Sequence, residues 1–373
     1  MSLRRFTVAG FRNLEPLDVS VPPGLTVVVG SNGAGKTNLL EAIAVLGNLV
    51  SFRPGPASGW LRRGERAFAL GGVIERGGAP VELRQEARLG RTLARTFHRG
   101  GRRLGAGEYL DLFPVAALSG YDRLLVWGAP EERRRFLDRL CFHLRPEALA
   151  LLQRYRRTLA QRNALLAAGG RDDEFEAFEH DLATVGARIV EFRLAALRGL
   201  ERLLPTELEA LGWSAGRVVL RYHCPDGVAV ADAATTAASL RVALTSSRRR
   251  DRALGHTRVG PHRHDLAVAA QGVAVREVLS AGQGKLLATA LRLAAVALLA
   301  EVKGRTPMVV FDDVDAEFDA EVLRRILARL TSGGQAVLSS AHEEMIVPRA
   351  GGAAVWRVRA GAVGGADSER SNA

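Results

Sequence analysis

The sequence has few residues that could form a disulfide framework or a zinc site. Cys141 and Cys224 are its only cysteines, and neither belongs to a CxxC pair or a Cys/His cluster. No apolar run reaches the roughly 18 residues that a membrane span requires. The first residues, MSLRRFTVAGF, alternate polar and apolar side chains and lack the apolar stretch of a secretory signal. These absences predict a cytoplasmic protein that is not bound to a membrane, with two ordinary buried cysteines.

The composition is that of a globular protein with an excess of positive charge. The 373 residues, enough for two or three domains, include 52 Lys and Arg against 40 Asp and Glu, and the formal net charge is +12. Basic surface releases counterions when it meets a phosphate backbone, which favours a nucleic-acid partner. Nearly all of the basic residues are Arg, however, and with abundant Ala and Gly this skew is also what coding bias would produce. The charge alone therefore leaves the partner open.

The hydrophobic pattern predicts an α/β part interrupted by helices. Alternation indicates strands at residues 3–8, 17–21 and 25–29, and the third leads through a Gly-rich turn into a helix at 36–46. The further predictions are strands at 68–74 and 81–88, an Arg-rich loop or exposed hairpin ending near 107, two to four helices at 131–211 broken at Gly169-Gly170 and Pro205, a strand at 213–222, a helix at 231–244, and alternating helix and strand from 273 to 358. The predicted domains are 1–129, a mainly helical insertion at 130–254, a second α/β part at 255–362 and a disordered tail at 363–373.

One segment fits the phosphate-binding loop of P-loop proteins at every required position. It follows a predicted strand, opens a predicted helix and matches G-x-x-x-x-G-K-[ST]. Backbone N–H groups of such a loop surround the phosphates of ATP, while the lysine reaches the β and γ phosphates and the hydroxyl binds Mg²⁺. The segment, here called the phosphate loop, consists of Gly30, Ser31, Asn32, Gly33, Ala34, Gly35, Lys36 and Thr37. Asn38 and Arg12 complete the predicted nucleotide-binding set on this side.

Two further segments complete the predicted ATPase site. The apolar strand at 308–311 ends in Asp312 and Asp313, where Asp312 is expected to bind Mg²⁺ and Asp313 to polarise the attacking water. Ser280, Gly282 and Gln283 lie in a turn, here called the signature turn, that opens a long apolar helix and offers a second anion site. An ordinary N-cap serine before a core helix is the alternative for this turn.

The signature turn resembles the LSGGQ-like turn of ABC-type ATPases. In that class the turn of one subunit closes on the nucleotide held by the other, so the resemblance implies an ATP-dependent homodimer with Ser280 at the partner's site. Residues 316–319, Ala-Glu-Phe-Asp, occupy the place of the D-loop, and His342 that of the switch histidine. A surface histidine without that role is the alternative.

Six segments together resemble the RecF family across nearly the whole chain: GFRNLEPLDV, GSNGAGKTNLLEAI, LLVWGAPEERRRFLDRL, QRNALL, TRVGPHRHDL and LSAGQGK. The chain departs from the family's usual patterns in Ser280-Ala281-Gly282-Gln283-Gly284-Lys285 in place of S-Q-G-Q-Q-R, and in His264 in place of Asp. For the Q-loop the early part of the chain offers only Gln85, in a predicted strand.

The resemblance implies both fold and function. The expected fold is α/β, an ABC-type P-loop ATPase head with a mixed sheet, flanking helices and a second, mainly helical lobe inserted. The expected activity is weak, DNA-stimulated ATP hydrolysis with ATP and Mg²⁺, dimerisation on ATP and binding of double-stranded DNA beside single-stranded gaps. The expected partners are RecR and RecO, which cooperate in loading the recombinase RecA, and the expected location is the cytoplasm, at the nucleoid.

Arginine-rich runs are the candidate DNA contacts, with solvated loops as the alternative. The stretch at 258–264 could line a site, or Asp265 could fix a turn there, and the arginines at 133–135 and 139 are expected to be partly structural. The two runs are Arg88, Arg91, Arg95, Arg99, Arg102 and Arg103, and Arg248, Arg249, Arg250 and Arg252.

Three other protein classes share parts of this pattern. An SMC-like ATPase joins the same half-sites through coiled-coil arms, but about 244 residues without sustained heptads separate Lys36 from Ser280. The ATPase subunit of a membrane transporter would carry its helical subdomain close before the signature turn and would copurify with membranes. A P-loop kinase has no use for a signature turn.

Overall fold

The computed structural model describes residues 1–316 and 318–365, which form two compact units. The first unit contains Met1–Arg123, Thr206–Ser214 and the residues from Ser280 onward. The second unit contains Leu124–Pro205 and Ala215–Leu279. No helix within the described ranges combines the length and the apolar character needed to cross a membrane.

Strands and helices alternate through much of the chain. The strands are β1 (Ser2–Ala9), β2 (Leu17–Ser20), β3 (Leu25–Val29), β4 (Ala67–Arg76), β5 (Ala79–Leu89), β6 (Leu93–Arg99), β7 (Arg102–Leu104), β8 (Val115–Leu118), β9 (Val218–His223), β10 (Asp265–Ala270), β11 (Val273–Ala274), β12 (Met308–Phe311), β13 (Ala336–Ser340), β14 (Ala354–Arg359) and β15 (Ala362–Gly365). The helices are α1 (Lys36–Asn48), α2 (Ala106–Leu110), α3 (Leu124–Trp127), α4 (Pro130–Leu144), α5 (Glu147–Ala167), α6 (Asp172–Ala210), α7 (Ala233–Leu254), α8 (Val275–Val278), α9 (Ala281–Lys303), α10 (Ala320–Ser332) and α11 (Glu343–Ile346). Short 3-10 segments lie at Ala57–Trp60, Gly120–Arg123, Val314–Ala316 and Val347–Arg349.

A largely parallel sheet forms the centre of the first unit. Its strand order is β15-β14-β3-β13-β12-β8, and only the β14/β15 pair is antiparallel. Every residue of β3 (LTVVV), β12 (MVVF) and β13 (AVLSS) is buried, because continuous apolar strands need cover on both faces. Helix α1 packs on β8, β12 and β13. The carboxyl ends of the five parallel strands share one edge, so the loops that follow them meet there.

An antiparallel sheet forms the rest of the first unit, in the order β2-β1-β4-β5-β6-β7. Its alternating strands bury one face, on which Phe6, Leu70, Ile74 and Leu83 lie, each fully buried. The Arg-rich stretch takes the hairpin form of the two that the sequence allowed, as β6 and β7. The early strand and helix predictions, 3–8, 17–21, 25–29 and 36–46, are confirmed within two residues at each end.

The second unit is mainly helical, with α4 to α7 beside the sheet β11-β10-β9. Its core contains Tyr155, Leu182, Leu240 and Leu244. The predicted break at Gly169-Gly170 separates α5 from α6, but the break predicted at Pro205 is wrong, because Pro205 lies inside the 39-residue α6. The apolar stripe continues across the proline, so packing retains the helix despite one lost backbone bond. The stripe consists of Leu200, Leu204, Leu208 and Leu211.

The division into units differs from the predicted domains at three places, the first of which is residues 124–129, predicted in the first α/β part but found in the second unit. Residues 255–279 join the second unit, because β10 pairs with β9 along its whole length, from Asp265 opposite His223 to Ala270 opposite Val218. Residues 206–214 join the first unit, where Glu207 accepts two hydrogen bonds from Arg329. The predicted tail from 363 is shortened, since residues 362–365 form β15, and the remaining positions 366–373 lie outside the described residues.

Candidate functional site

The phosphate loop joins β3 to α1 through a backbone that only glycine tolerates at two positions. A side chain at Gly30 would begin 2.3 Å from the carbonyl oxygen of Val358. Gly35, which precedes the first turn of α1, has φ +118°, in the left-handed region. These positions explain why the loop turns tightly from a buried strand into a buried helix.

Lys36 lies across the mouth of this loop. Its Nζ donates to the carbonyl oxygens of Gly30 at 2.7 Å and Ser31 at 3.2 Å, and the residue is only 4% exposed. The loop is closed on itself by the Ala34 amide, which donates to the Ser31 carbonyl oxygen at 3.1 Å. An ammonium group fixed at the start of a helix, beside free backbone N–H groups, is suited to bind an anionic phosphate.

Asp312 brings a buried carboxylate to the phosphate loop. It follows β12, is 8% exposed and accepts a hydrogen bond of 2.8 Å from Ser339 Oγ on β13, while the Thr37 side chain also hydrogen-bonds to it. Burial raises the pKa of Asp312 above its ordinary value, and the neighbouring Asp313 carboxylate adds to this, whereas the bonds from Ser339 and Thr37 oppose it. A bound cation would stabilise the ionised form.

The residues present fit a magnesium ion. Mg²⁺ takes oxygen ligands and is usually held by one or two carboxylates together with phosphate oxygens. The Thr37 hydroxyl and the Asp312 carboxylate are adjacent, which provides the protein's share of such a site. Within the described ranges no three His, Cys, Asp or Glu side chains are grouped to hold a metal, so a dedicated all-protein cage is not built there.

Asp313 has a backbone conformation that is rare outside glycine. Its φ is +50°, and its amide donates to Ser339 Oγ at 2.8 Å. The same serine hydroxyl thus holds both carboxylate residues at the end of β12. The turn directs Asp313 into a cleft shared with the phosphate loop, where a carboxylate can act on a water molecule.

A cleft of about 540 Å³ brings these groups together. Eight of the predicted site residues line it: Asn32, Gly33, Gly35, Lys36, Thr37, Asn38, Asp312 and Asp313. Six other residues line it as well, and of these only Ala316, in the D-loop, was singled out from the sequence: Arg53, Ser119, Gly120, Tyr121, Arg123 and Ala316. Ser119 to Arg123 follow β8, which lies next to β12 in the sheet, so only the sheet order reveals their place.

Arg12, predicted to bind nucleotide, hydrogen-bonds to Glu41, and neither residue is among those that line the cleft. Its Nε and one terminal nitrogen donate to the two Glu41 oxygens at 2.9 and 2.6 Å, and Glu41 is fully buried. Arg53 donates to the same carboxylate at 3.3 Å and to Asn38 Oδ1 at 2.8 Å. Arg53 therefore lines the cleft where Arg12 does not. A basic residue soon after the phosphate-loop helix is the only sequence signal that could have found it.

The signature turn is exposed and lies apart from this cleft. Ser280 caps α9: its Oγ accepts from the Gln283 amide at 3.3 Å, and Gln283 Oε1 accepts from the Ser280 amide at 3.0 Å. Ser280 and Gly282 are both exposed. Among the described residues, the lining of the cleft includes neither these two nor Gln283. Ser280 is thus an N-cap serine, and the signature turn also exposes the N-terminus of α9 to solvent.

The switch and D-loop positions follow β13 and β12. His342 is 58% exposed in its side chain, and its amide donates to Ser340 Oγ at 2.9 Å. It does not line the cleft, whereas Ala316 does. Glu317 lies outside the described residues. Phe318 packs edge-on against Phe311 at 6.3 Å between ring centroids. Asp319 caps α10 through the amides of residues 321 and 322.

Gln85 and several residues of the 258–265 stretch are buried or paired, while Arg263 is exposed. Gln85 is fully buried in β5 and is no part of the cleft. Asp265 pairs with Arg133 through two bonds of 2.9 and 2.7 Å within the second unit. His264, the departure from the family pattern, is fully buried with its Nε2 3.0 Å from Asp226 Oδ2. Asp265 and His264 therefore stabilise the second unit internally.

Comparisons with known proteins agree with this geometry. The family model described as the RecF/RecN/SMC N terminal domain matches residues 2–360. The DNA replication and repair protein RecF of Synechococcus sp. (strain JA-3-3Ab) is 35% identical over 353 residues, 92% of each chain. The protein of that name from Anaeromyxobacter dehalogenans is 36% identical over 371 residues, covering 97% of this chain and 99% of the relative.

Solved structures give the same result. A structure of the recombination mediator protein RecF-ATPrS in the RecFOR pathway has a TM-score of 0.89 and 27% identity, with 98% of each chain covered. The structure of the recombination mediator protein RecF-ATP has a TM-score of 0.88 and 26% identity, covering 98% of this chain and 99% of that one. An SmcHead structure, with a TM-score of 0.54 and 15% identity, shares the fold alone. The predicted P-loop ATPase head of the ABC and SMC type is thus confirmed, and the chain belongs to the RecF family of ATP-binding DNA replication and repair proteins.

Proposed function

We propose that the chain is an ATP-dependent recombination mediator that forms a homodimer on ATP, binds double-stranded DNA near single-stranded gaps and slowly hydrolyses ATP. In this role it assists RecR and RecO in loading the recombinase, in the cytoplasm at the nucleoid. DNA stimulates the hydrolysis, which acts as a switch and not as a source of continuous work. Support for the DNA contact comes from the net charge of +12 and from relatives described as DNA replication and repair proteins.

One observation carries the dimer proposal: the two half-sites of the first unit do not meet. The phosphate loop, Asp312 and Asp313 line one cleft, while Ser280, at the start of α9, is exposed and absent from its lining. A helix N-terminus with exposed N–H groups is an anion site. A second copy of the chain would place its Ser280 against the nucleotide in this cleft. Two composite sites then result from one isologous interface.

Each residue of the composite site has a distinct role. Lys36 neutralises the β and γ phosphates, and Thr37 and Asp312 hold Mg²⁺, which supplies charge stabilisation of the transferring phosphoryl group. Asp313 orients and polarises the attacking water. The partner's Ser280, Gly282 and Gln283 contact the γ phosphate, and His342 senses it from the loop after β13.

Ser280→Arg tests the proposal. The turn lies away from the cleft, so ATP binding by the monomer should remain close to wild type, while the bulky cation prevents closure and abolishes ATP-dependent dimerisation. Ser280→Ala is the matched control, because it removes the helix cap, at a cost of about 1 kcal/mol, without adding bulk. Nucleotide titration and size measurement with ATP, ADP or no nucleotide would show both effects. Loss of ATP binding, or dimerisation at wild-type affinity, would contradict the proposal.

Mixed dimers give a stricter test. A Ser280→Arg chain keeps an intact phosphate loop, and a Lys36→Ala chain keeps an intact signature turn. Each protein alone should be inactive, but their mixture should recover part of the ATPase activity because one complete composite site forms in each mixed dimer. A mixture as inactive as its components would show that the signature turn does not act on the partner's nucleotide.

A further inference from the structure

The arginines of the two predicted DNA-binding runs are not equivalent. Arg95 stacks on Trp60 and Phe97 at 5.1 and 5.2 Å, and burial lowers its pKa to about 10. Arg248 pairs with the buried carboxylate of Glu179 at 2.7 Å in the second unit. Such arginines are held by protein groups and have little freedom to reach a phosphate.

Two more members of the runs are engaged by acidic residues. Arg102 lies 3.6 Å from Glu108, and Arg252 lies 2.5 Å from Asp172. What remains of the two runs is therefore Arg88 and Arg91 at one end of β5 and β6, Arg99 and Arg103 at the other end, and Arg249 and Arg250 on α7 in the second unit.

We propose that one end of the antiparallel sheet binds the phosphates of duplex DNA. This surface, here called the basic rim, rests on the DNA-binding function proposed above and names where that contact is made. Two of its four arginines, in the short cluster Arg62-Arg63-Gly64-Glu65-Arg66, were not among the candidates singled out from the sequence. The rim consists of Arg63, Arg66, Arg88 and Arg91.

Strand register brings the four arginines together. Arg88 lies opposite Ala67 on β4, and the amide of residue 89 donates to the Arg66 carbonyl oxygen at 2.8 Å. Arg91 is in the turn from β5 to β6, and Arg63 is in the turn that leads into β4. All four are exposed, and none takes part in an ion pair within the part of the chain that the structure describes.

The sheet next to the rim is shaped for close approach of a backbone. A groove of about 610 Å³ runs over the outer face, where small side chains leave the sheet surface accessible beside Arg88. Small residues let the sugar-phosphate backbone come near without steric hindrance, and no aromatic platform for single-stranded bases is exposed on the lining. Arg62, Glu65, Glu86 and Arg88 carry the charges of the lining, and its small residues are Ala9, Gly10, Ala67, Ala69, Ala87, Ala94 and Thr96.

The local charges favour an anion. Arg62 is paired with Glu15 at 2.5 Å and Arg84 with Glu86 at 2.7 Å, so neither pair changes the net charge of the surface around the rim. Glu65 lies in the turn between Arg62 and Arg66 and offsets one of the four rim charges. The rim remains strongly positive. At the opposite end of the sheet, several arginines form ion pairs with acidic residues, Arg76 with Asp111 and Arg4 with Glu75.

The rim also lies at the nucleotide end of its sheet. Strand β1 runs past Ala69 of β4 and continues through Gly10 to Asn13, whose Nδ2 donates to the Gly33 carbonyl oxygen of the phosphate loop at 3.3 Å. The Arg62 amide donates to the Gly10 carbonyl oxygen at 2.8 Å. Duplex DNA held by the rim would therefore bear on the segment that supports the phosphate loop.

Salt dependence of DNA binding tests the rim with a matched control. Each phosphate contact contributes about 0.9 to the slope of log affinity against log salt. Arg88→Gln with Arg91→Gln should thus lower the slope for a gapped duplex by about 2, and neutralising all four by about 4. Arg99→Gln with Arg103→Gln removes the same charge from the opposite end of the same sheet and should leave the slope unchanged.

The outcomes separate the rim from the function on which it rests. Basal ATPase activity without DNA, measured for every variant, shows that the fold and the nucleotide site are intact. A wild-type slope in the four-arginine variant, or an equal loss in the control pair, would overturn the rim while leaving DNA binding in place. If the wild-type protein itself binds no duplex in ATP, the proposed function fails instead.

Discussion

Replacing Glu41 by Gln tests how the nucleotide cleft is supported. The carboxylate is fully buried, and it accepts bonds from Arg12 at 2.6 and 2.9 Å, from Ser51 at 2.7 Å and from Arg53 at 3.3 Å. Gln keeps the shape and one oxygen, but its amide turns N–H groups toward the guanidinium donors. The substitution therefore removes charge and at least one charge-assisted bond from a buried site.

The expected cost follows from burial on both sides of the pair. Breaking a buried ion pair costs about 3 to 5 kcal/mol, and a bond to a charged group contributes about 1.5 to 3 kcal/mol. Arg12 and Arg53 are 22% and 32% exposed and can recover hydration, so we expect a cost below that of a fully buried pair, about 2 to 3 kcal/mol in the free energy of unfolding. Freed from Glu41, Arg53 should hold its place in the cleft less well, and ATP affinity should fall about fivefold, or about 1 kcal/mol.

Urea denaturation and nucleotide titration would measure both effects. Glu321→Gln is the matched control, because Glu321 also accepts from two arginines, Arg324 and Arg325, but is 54% exposed. That variant should keep the wild-type denaturation midpoint and ATP affinity, as exposed pairs contribute little. A Glu41→Gln midpoint equal to that of the control would show that the buried carboxylate does not support the cleft, and the reasoning would be refuted.

Three further predictions concern the nucleotide site and the second unit. Lys36→Ala should abolish nucleotide binding in a fluorescence titration while leaving the circular dichroism spectrum unchanged, because the ammonium is the main point charge on the phosphates; binding at wild-type affinity would remove Lys36 from the site. Asp312→Asn should weaken magnesium-dependent ATP binding, whereas Asp313→Asn should preserve binding and stabilise an ATP-bound dimer, as judged by size measurement; normal hydrolysis in both variants would contradict the assignment. Burial lowers the pKa of His262 to about 4, and its ring accepts from the Tyr155 hydroxyl and donates to a backbone carbonyl in the neutral form. The unfolded chain protonates His262 near pH 6.5, whereas the folded chain protonates it only near pH 4. The contribution of neutral His262 to the free energy of unfolding is therefore complete above pH 6.5. It is lost as the pH falls toward 4, by up to about 3 kcal/mol. His262→Gln should therefore flatten the acid limb of stability against pH in urea unfolding, and an unchanged limb would show that His262 does not cause it.

The placement of the first half-site could be predicted because it is local in the sequence. A strand, a Gly-rich turn and a helix are contiguous at residues 25–48, so the pattern alone places Lys36 and Thr37 at a helix N-terminus. The apolar run before Asp312 likewise predicts a buried strand whose end carries the carboxylates. The spacing of the signature turn from its helix is local too, and Ser280 is the N-cap that the sequence indicates.

The residues that complete the cleft could not be predicted, since they depend on which strands become neighbours. Ser119 and Arg123 line it because β8 pairs with β12, a parallel pairing between distant segments. Arg53 lines the cleft and Arg12 does not, although the fully buried Glu41 accepts bonds from both guanidinium groups. No periodicity or motif encodes these pairings.

The arginines give the clearest division between the two levels. Composition determined that the protein is basic, and runs of Arg indicated where to look, because both are read directly from the sequence. Strand register determines which of these arginines are exposed. Arg95 lies on the side of the sheet where it stacks on Trp60, whereas Arg66 and Arg88 lie together at the exposed end of β4 and β5. Charge is a property of each residue, but whether that charge is available to a phosphate depends on the neighbours that folding provides, and these were fixed only by the tertiary structure.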